Sequence, residues 1–324
     1  MKKRYLLPSD VFMADPSVHV FDGKLYIYPS HDRESGAAED DWGGHFEMND
    51  YHVLSLEGPD PLTSPVKDHG VALALEDIPW AGRQLWDCDI ARKDGRYYLY
   101  FPAKDKTDVF RCGVAVADGP TGPFKPLPDP VRGSYSIDYC ILEDAGEYLM
   151  YFGGLWGGQL QRYRDNRIIP EGPYLPKGSE PALCPRVVRL SADMTQFDGE
   201  PAAVQIVDEA GKPLSADDPH RFFEASWVHK YGGRYYFSYS TGDTHLLCYA
   251  VGDNPFGPFT YKGVILTPVV GWTTHHSIVE YGGKWYLFHH DAVPSGDRTW
   301  LRSLKVCELR YNPDGTIVTI EGKD

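Results

Sequence analysis

Short runs of alternating aromatic and aliphatic residues recur along the chain behind a glycine, and they set the expected architecture. Five runs share one layout, a glycine, a polar residue and a strand-like stretch: GKLYIY from Gly23, GRYYLYF from Gly95, GEYLMYF from Gly146, GRYYFSY from Gly233 and GKWYLFH from Gly283. Such a run behind a turn glycine predicts a hairpin feeding a strand buried on both faces. A second motif follows each run, a strand entering a Pro/Gly/Asp turn. Its copies are HVLSLEGPDPLTSP from His52, GVAVADGPTGPF from Gly113, RVVRLSADMTQF from Arg186, CYAVGDNPFGPF from Cys248 and KVCELRYNPDGTI from Lys305. Five ordered copies of a four-stranded unit predict an all-β chain folded as a five-bladed β-propeller, whose radial sheets leave few long open edges. A β-sandwich would need all five matched pairs to arise in order by chance. Segments 34–50, 164–180 and 208–220 have loop composition. No apolar period of 3.6 persists for a dozen residues, and no linker composition appears, so residues 1–324 are read as one domain.

Composition sharpens this picture without changing it. The chain has 33 Gly and 26 Pro in 324 residues, which suits a turn-rich protein, and 42% hydrophobic residues, enough for a sizeable core. With 32 Lys+Arg against 46 Asp+Glu, the net charge of −14 disfavours nucleic acid and anionic membranes as partners. Trp and Tyr beside acids suit a sugar-binding surface, and an ordinary β core would show the same surplus. No window is long and apolar enough to span a membrane. The opening MKKRYLLPSD is basic but lacks an apolar signal-peptide stretch, so a cytoplasmic protein acting on imported material is expected. Six scattered cysteines without CxxC pairs are read as reduced, mostly buried thiols.

The chemistry emerges at one register of the repeat. Eight residues before the repeat glycines stand Asp15, Asp87, Asp138, Ala225 (with Glu224 one step earlier) and His275. In a propeller this stretch begins the innermost strand, so four carboxylates and an imidazole are expected to converge at one mouth of the central channel. Asp15 or Asp138 alone could simply cap a turn. Burying the whole set together is costly unless it binds something or shares protons. Converging carboxylates facing an uncharged ligand suit glycoside hydrolysis, with one as acid and another activating water or attacking the anomeric carbon. A third carboxylate can keep the acid protonated. There is no GxSxG elbow, phosphate loop, dinucleotide fingerprint or HExxH motif.

These residues resemble glycoside hydrolase family 43. The resemblance rests on Ala14-Asp15-Pro16-Ser17-Val18, Ser136-Ile137-Asp138, Phe222-Phe223-Glu224, Thr274-His275-His276-Ser277-Ile278-Val279-Glu280 and Tyr311-Asn312-Pro313-Asp314-Gly315-Thr316-Ile317. It is strongest to the single-domain β-xylosidases and α-L-arabinofuranosidases. It implies a five-bladed propeller and inversion of configuration, with Asp15 as general base, Glu224 as general acid and Asp138 raising and orienting the acid. It also implies that His275 lies near the channel axis, where members often hold calcium or a water cluster. Calcium rests on the resemblance, since the ion prefers oxygen ligands and a lone His does not predict it.

Three positions depart from the family pattern. Trp86-Asp87-Cys88-Asp89 replaces Trp-Ala-Pro-Asp, Asp138-Tyr139 replaces Asp-Pro, and Glu224-Ala225-Ser226 replaces Glu-Gly-Pro. Asp87 could contact a sugar hydroxyl or a cation, or sit on a solvated turn. Trp86, Trp156, Gln159, His31, Asp32, Trp272 and Arg302 are candidates to hold the glycone, with packing between blades the competing role for each. Arg302 resembles the family's channel-lining Arg and could pair with Asp15, lowering that base's pKa. The expected protein is an inverting exo-glycosidase releasing terminal β-D-xylosyl or α-L-arabinofuranosyl residues from small oligosaccharides. The alternatives are a non-catalytic glycan-binding propeller and a propeller glycosidase with another glycone. A lectin would repeat its binding residues in every blade, whereas here each blade contributes a different group.

Overall fold

The five repeat glycines close two-residue hairpins in which both turn residues have positive φ. The pairs are Asp22-Gly23 (50°, 76°), Asp94-Gly95 (50°, 78°), Ala145-Gly146 (52°, 84°), Gly232-Gly233 (56°, 81°) and Gly282-Gly283 (60°, 74°). Two left-handed residues in succession form the turn whose twist matches that of the flanking strands. A Cβ is disfavoured there, so the glycine recurs in every copy.

The computed structural model describes residues 2–272 and 274–323 and is a five-bladed β-propeller. Blade one contains Met13–Phe21, Lys24–His31, Asp50–Leu56 and Val66–Ala74, and blade two contains Asp89–Lys93, Arg96–Asp105, Phe110–Ala117 and Lys125–Pro126. Blade three runs from Cys140–Asp144 through Glu147–Phe152 and Arg186–Leu190 to Phe197–Ala203. Blade four comprises Glu224–Tyr231, Arg234–Ser240, Leu247–Gly252 and Phe259–Leu266. Blade five has three consecutive strands, His276–Tyr281, Lys284–Asp291 and Ser303–Leu309, and takes its fourth from Lys3–Tyr5, with Lys3 opposite Cys307. The first strand of each blade packs against its counterpart in the next, and Met13–Phe21 meets His276–Tyr281 to close the ring. The repeated runs supply the core: Tyr100, Phe101, Tyr151, Phe152, Phe237 and Tyr239 are fully buried. All six cysteines are free, and all but Cys184 are buried.

Three of the inner strands begin with a kink. Asp15, Asp138 and Ala225 have φ of 47°, 63° and 63°, and the pairing register slips between Ala14 and Ser17 and between Glu224 and Trp227. Each kinked residue turns its N–H toward the preceding blade. Asp15 donates to His290 Nδ1 (3.1 Å), Asp138 to Asp87 Oδ1 (3.2 Å) and Ala225 to Asp138 Oδ2 (2.5 Å). These bonds satisfy backbone groups that the bulge removes from the ladder.

Candidate active site

A cavity of about 610 Å³ opens over these kinks and is lined by Asp15, Asp87, Asp138, Glu224 and His275. The five groups come from all five blades, as counting back from the repeat glycines predicts.

Asp15 is buried and held from two sides. Arg302 Nη1 donates to its Oδ1 (2.7 Å) and the Ser30 hydroxyl to its Oδ2 (2.5 Å). The guanidinium is itself fixed by Asp32, which accepts from Arg302 Nε (2.8 Å), Nη2 (2.6 Å) and the backbone N–H (2.7 Å). Arg302 also lies over the Phe46 ring, 5.1 Å from its centroid. Burial alone would raise the Asp15 carboxyl, but Arg302, with His290, His275 and Ser30, holds it down at about 2. Asp15 is therefore ionised throughout the neutral range.

Glu224 is raised well above the usual carboxyl range, first by burial and then by the charges of Asp138 and Asp15, with Arg302 opposing. Glu224 stays protonated where Asp15 is charged. Among the described residues its carboxyl makes no salt bridge, and it lies on the cavity lining, so its proton can be donated to a ligand there.

Asp87 and Asp138 form a buried pair. Burial and the Asp138 charge push Asp87 well up, while burial raises Asp138 against the pull of His275. Two adjacent carboxyls in low dielectric resist ionising together, and both are pushed up. His275 Nε2 faces Asp87 Oδ2 at 3.8 Å and Asp138 Oδ1 at 3.9 Å. Among the described residues, neither His275 ring nitrogen nor Asp87 Oδ2 has a hydrogen-bond partner. The three groups bring donor atoms within 4.8 Å of one another and could hold a metal ion.

The cavity wall is aromatic. Trp156 packs against Phe223 (5.5 Å between centroids) and Trp272 (5.7 Å), and Trp272 is 37% exposed at the rim. Trp86, whose ring lies close to Gly157, donates from Nε1 to the Phe46 carbonyl (2.9 Å). The loop carrying Phe46 comes so close that a Cβ on Gly43 would lie 2.7 Å from the Trp86 ring.

This is a cavity with one ionised and one protonated carboxyl under stacking rings. A sequence profile described as Glycosyl hydrolases family 43 matches residues 64–317. The chain belongs to this family. Family 43 relatives match it end to end. A xylosidase/arabinosidase of Bacteroides ovatus is 68% identical over 100% of this chain and 99% of its own length. A β-xylosidase of Xylanibacter ruminicola is 66% identical over 99% and 100%. The solved structure of RS223 β-xylosidase superposes with a TM-score of 0.97 at 65% identity, covering 100% of this chain and 99% of that one. A family 43 β-xylosidase/α-arabinofuranosidase from a compost metagenome, solved with xylotriose in a calcium-free form, gives 0.94 at 56% identity over 99% and 98%. This family 43 chain is a glycoside hydrolase.

Most sequence candidates line the family 43 cavity, namely Asp15, Trp86, Asp87, Asp138, Trp156, Glu224, Trp272, His275 and Arg302. Two do not. His31 pairs with Asp50 (2.6 Å) outside the cavity lining. Gln159 is buried as a backbone brace, accepting from the Phe110 N–H (3.1 Å) and donating to the Asp108 carbonyl (2.9 Å). Asp32 acts through Arg302 and does not line the cavity. Sequence reasoning missed Phe46, His45 and Thr299. A His-Phe pair inside the otherwise polar segment 34–50 was the available signal for the first two.

Proposed function

We propose that this glycoside hydrolase is an inverting exo-glycosidase that removes terminal β-D-xylosyl and α-L-arabinofuranosyl residues from short oligosaccharides. One contrast carries the mechanism: in one cavity Arg302 holds the Asp15 carboxyl low, while burial and the charges of Asp138 and Asp15 push the Glu224 carboxyl up. Asp15 is the base and takes a proton from water as the water oxygen attacks the anomeric carbon. Glu224 is the acid and gives its proton to the glycosidic oxygen as the C–O bond breaks. The cycle leaves Asp15 protonated and Glu224 ionised, and exchange with solvent resets both. Asp138 keeps Glu224 protonated by its charge and fixes the kink beside it through the Ala225 N–H. The xylosidase and arabinosidase names of relatives matched over their full length support the two pentoses as glycones. A cavity of this volume suits a sugar unit with its neighbour, and the rings of Trp86, Trp156 and Trp272 supply apolar walls.

The donor set of Asp87, Asp138 and His275 fits a divalent cation, because unpartnered oxygen and nitrogen atoms face one point. Two carboxylates and one imidazole suit calcium when water completes the shell. When bound, such an ion would supply positive charge beside these two carboxyls.

The test is a proton NMR time course of aryl β-xyloside hydrolysis, run beside α-arabinofuranoside, β-galactoside and fructosyl substrates. The first-formed xylose should be the α-anomer. Retained configuration would overturn the mechanism, and turnover confined to the last two substrates would overturn the choice of glycone.

A further inference from the structure

Loop 32–49 carries Phe46 to the cavity wall, leaves blade one at His31 and returns at Asp50. Ser30 pairs with Tyr51, so His31 and Asp50 face each other at the loop's base, and the strand period places His52 on the same face as Asp50. His31 Nδ1 lies 2.6 Å from Asp50 Oδ1, and His52 Nε2 lies 3.7 Å from the same oxygen. The two rings meet edge to face at 4.7 Å. The other nitrogen of His52, Nδ1, is held by both Asp68 oxygens at 3.0 Å, which leaves the Nε2 lone pair toward Asp50. A carboxylate behind a ligating imidazole is the arrangement that orients histidines on metal ions.

We propose that His31, Asp50 and His52 bind a divalent cation of the zinc class, which clips together the two ends of loop 32–49. The three donors already lie within 4.8 Å of one another. A tetrahedral zinc site sets its ligand atoms about 3.4 Å apart, from bond lengths near 2.1 Å. The present separations of 2.6 and 3.7 Å bracket that value. Two imidazoles and one carboxylate favour zinc-class ions over calcium or magnesium and leave a fourth position for water. Side-chain exposures of 29% for His31, 20% for Asp50 and 15% for His52 give the ion a route from solvent. On binding, a bond from His31 Nδ1 to the ion replaces the Nδ1–H···Asp50 hydrogen bond; the Nδ1 proton of a neutral ring is exchanged through solvent for one on Nε2, and that of an imidazolium is released to solvent. The site is separate from the cavity group of Asp87, Asp138 and His275, so the proposal does not depend on the reaction assigned above.

The experiment is calorimetric titration of the full chain with zinc chloride in a His275→Gln background, which disables the cavity group. One equivalent should bind in the micromolar range. Adding His52→Gln should weaken it at least about tenfold, Asp68→Asn about tenfold, and His69→Gln on the neighbouring strand not at all. Zinc should slow amide exchange across residues 33–49 in the His275→Gln protein and not in the His52→Gln double variant. Cobalt should give visible bands of a tetrahedral site only where His52 is present. No zinc binding in the His275→Gln protein, equal binding with and without His52, or loop exchange indifferent to zinc would overturn the proposal.

Discussion

Asp15 and Glu224 share one cavity and are both deeply placed carboxyls, yet they are pushed in opposite directions. Burial raises each of them, so burial cannot be what separates them. The difference lies in the partner: Asp15 touches Arg302 and the Ser30 hydroxyl, while Glu224 faces the negative charges of Asp138 and Asp15. Arg302 acts on both, directly on one and weakly on the other, because Asp32 clamps its fork toward Asp15. The contrast teaches that a propeller makes an acid and a base from like residues by choosing which blade receives the cation.

Removing either carboxyl is the harshest way to break this contrast. Glu224→Gln and Asp15→Asn should each lower kcat/KM on xylobiose by about 10³-fold, with circular dichroism unchanged. A dinitrophenyl xyloside, whose leaving group needs no proton, should restore most of the loss in Glu224→Gln and none in Asp15→Asn. Equal behaviour of the two variants would sink the division of roles.

Arg302→Met should come next, because it strands Asp15 and Asp32 without their counter-charge. Urea denaturation should show a loss of about 3–5 kcal/mol. Asp15 works ionised, so the rate falls as pH drops through its pKa of about 2. Without Arg302 the acid limb of the kcat/KM profile should move to higher pH. The same shift is a stability term: with a folded pKa below its unfolded value, Asp15 stabilises the fold fully above the unfolded value. That contribution is lost as pH falls toward about 2.

A milder intervention, Asp138→Asn, sharpens the other half. Glu224 works protonated and loses activity as pH rises through its pKa, which Asp138 helps to raise. The basic limb should therefore move to lower pH, with the neutral rate falling roughly 10²-fold. The smallest effect is expected of Asp87→Asn measured in chelator, since an amide mimics the protonated acid. Its kcat should stay within roughly threefold, under 1 kcal/mol. A large loss there would mean that Asp87 works ionised.

The blades were legible because a two-residue left-handed hairpin favours glycine, and Gly23, Gly95, Gly146, Gly233 and Gly283 mark the turn between the first and second strands of each. Lys3–Tyr5 was not legible as a strand, because three residues are too few for an alternating pattern and its partner lies some 300 positions away. The acids could be counted back from the glycines because the chain kinks at the same count in blades one, three and four, at Asp15, Asp138 and Ala225. Glu224 sits one residue off that count, and the structure supplies the reason: the left-handed position of blade four is Ala225. His31 and Gln159 misled because sequence gives a polar side chain no direction, and both turn to structural partners. Phe46 and Thr299 sit on irregular segments with no period to betray which way they point.

The kinks that aim these acids are each held by the blade before them, and this orders the assembly of the site in time. Asp138 waits for Asp87 and Ala225 for Asp138, so these parts mature as the chain lengthens from its N-terminus. Asp15 waits for His290 and Arg302, which are made near the end. Contacts that distant in sequence are slow to form. The carboxyl synthesised first is thus the last to acquire its working geometry, and recovered activity on refolding reports closure of the whole ring.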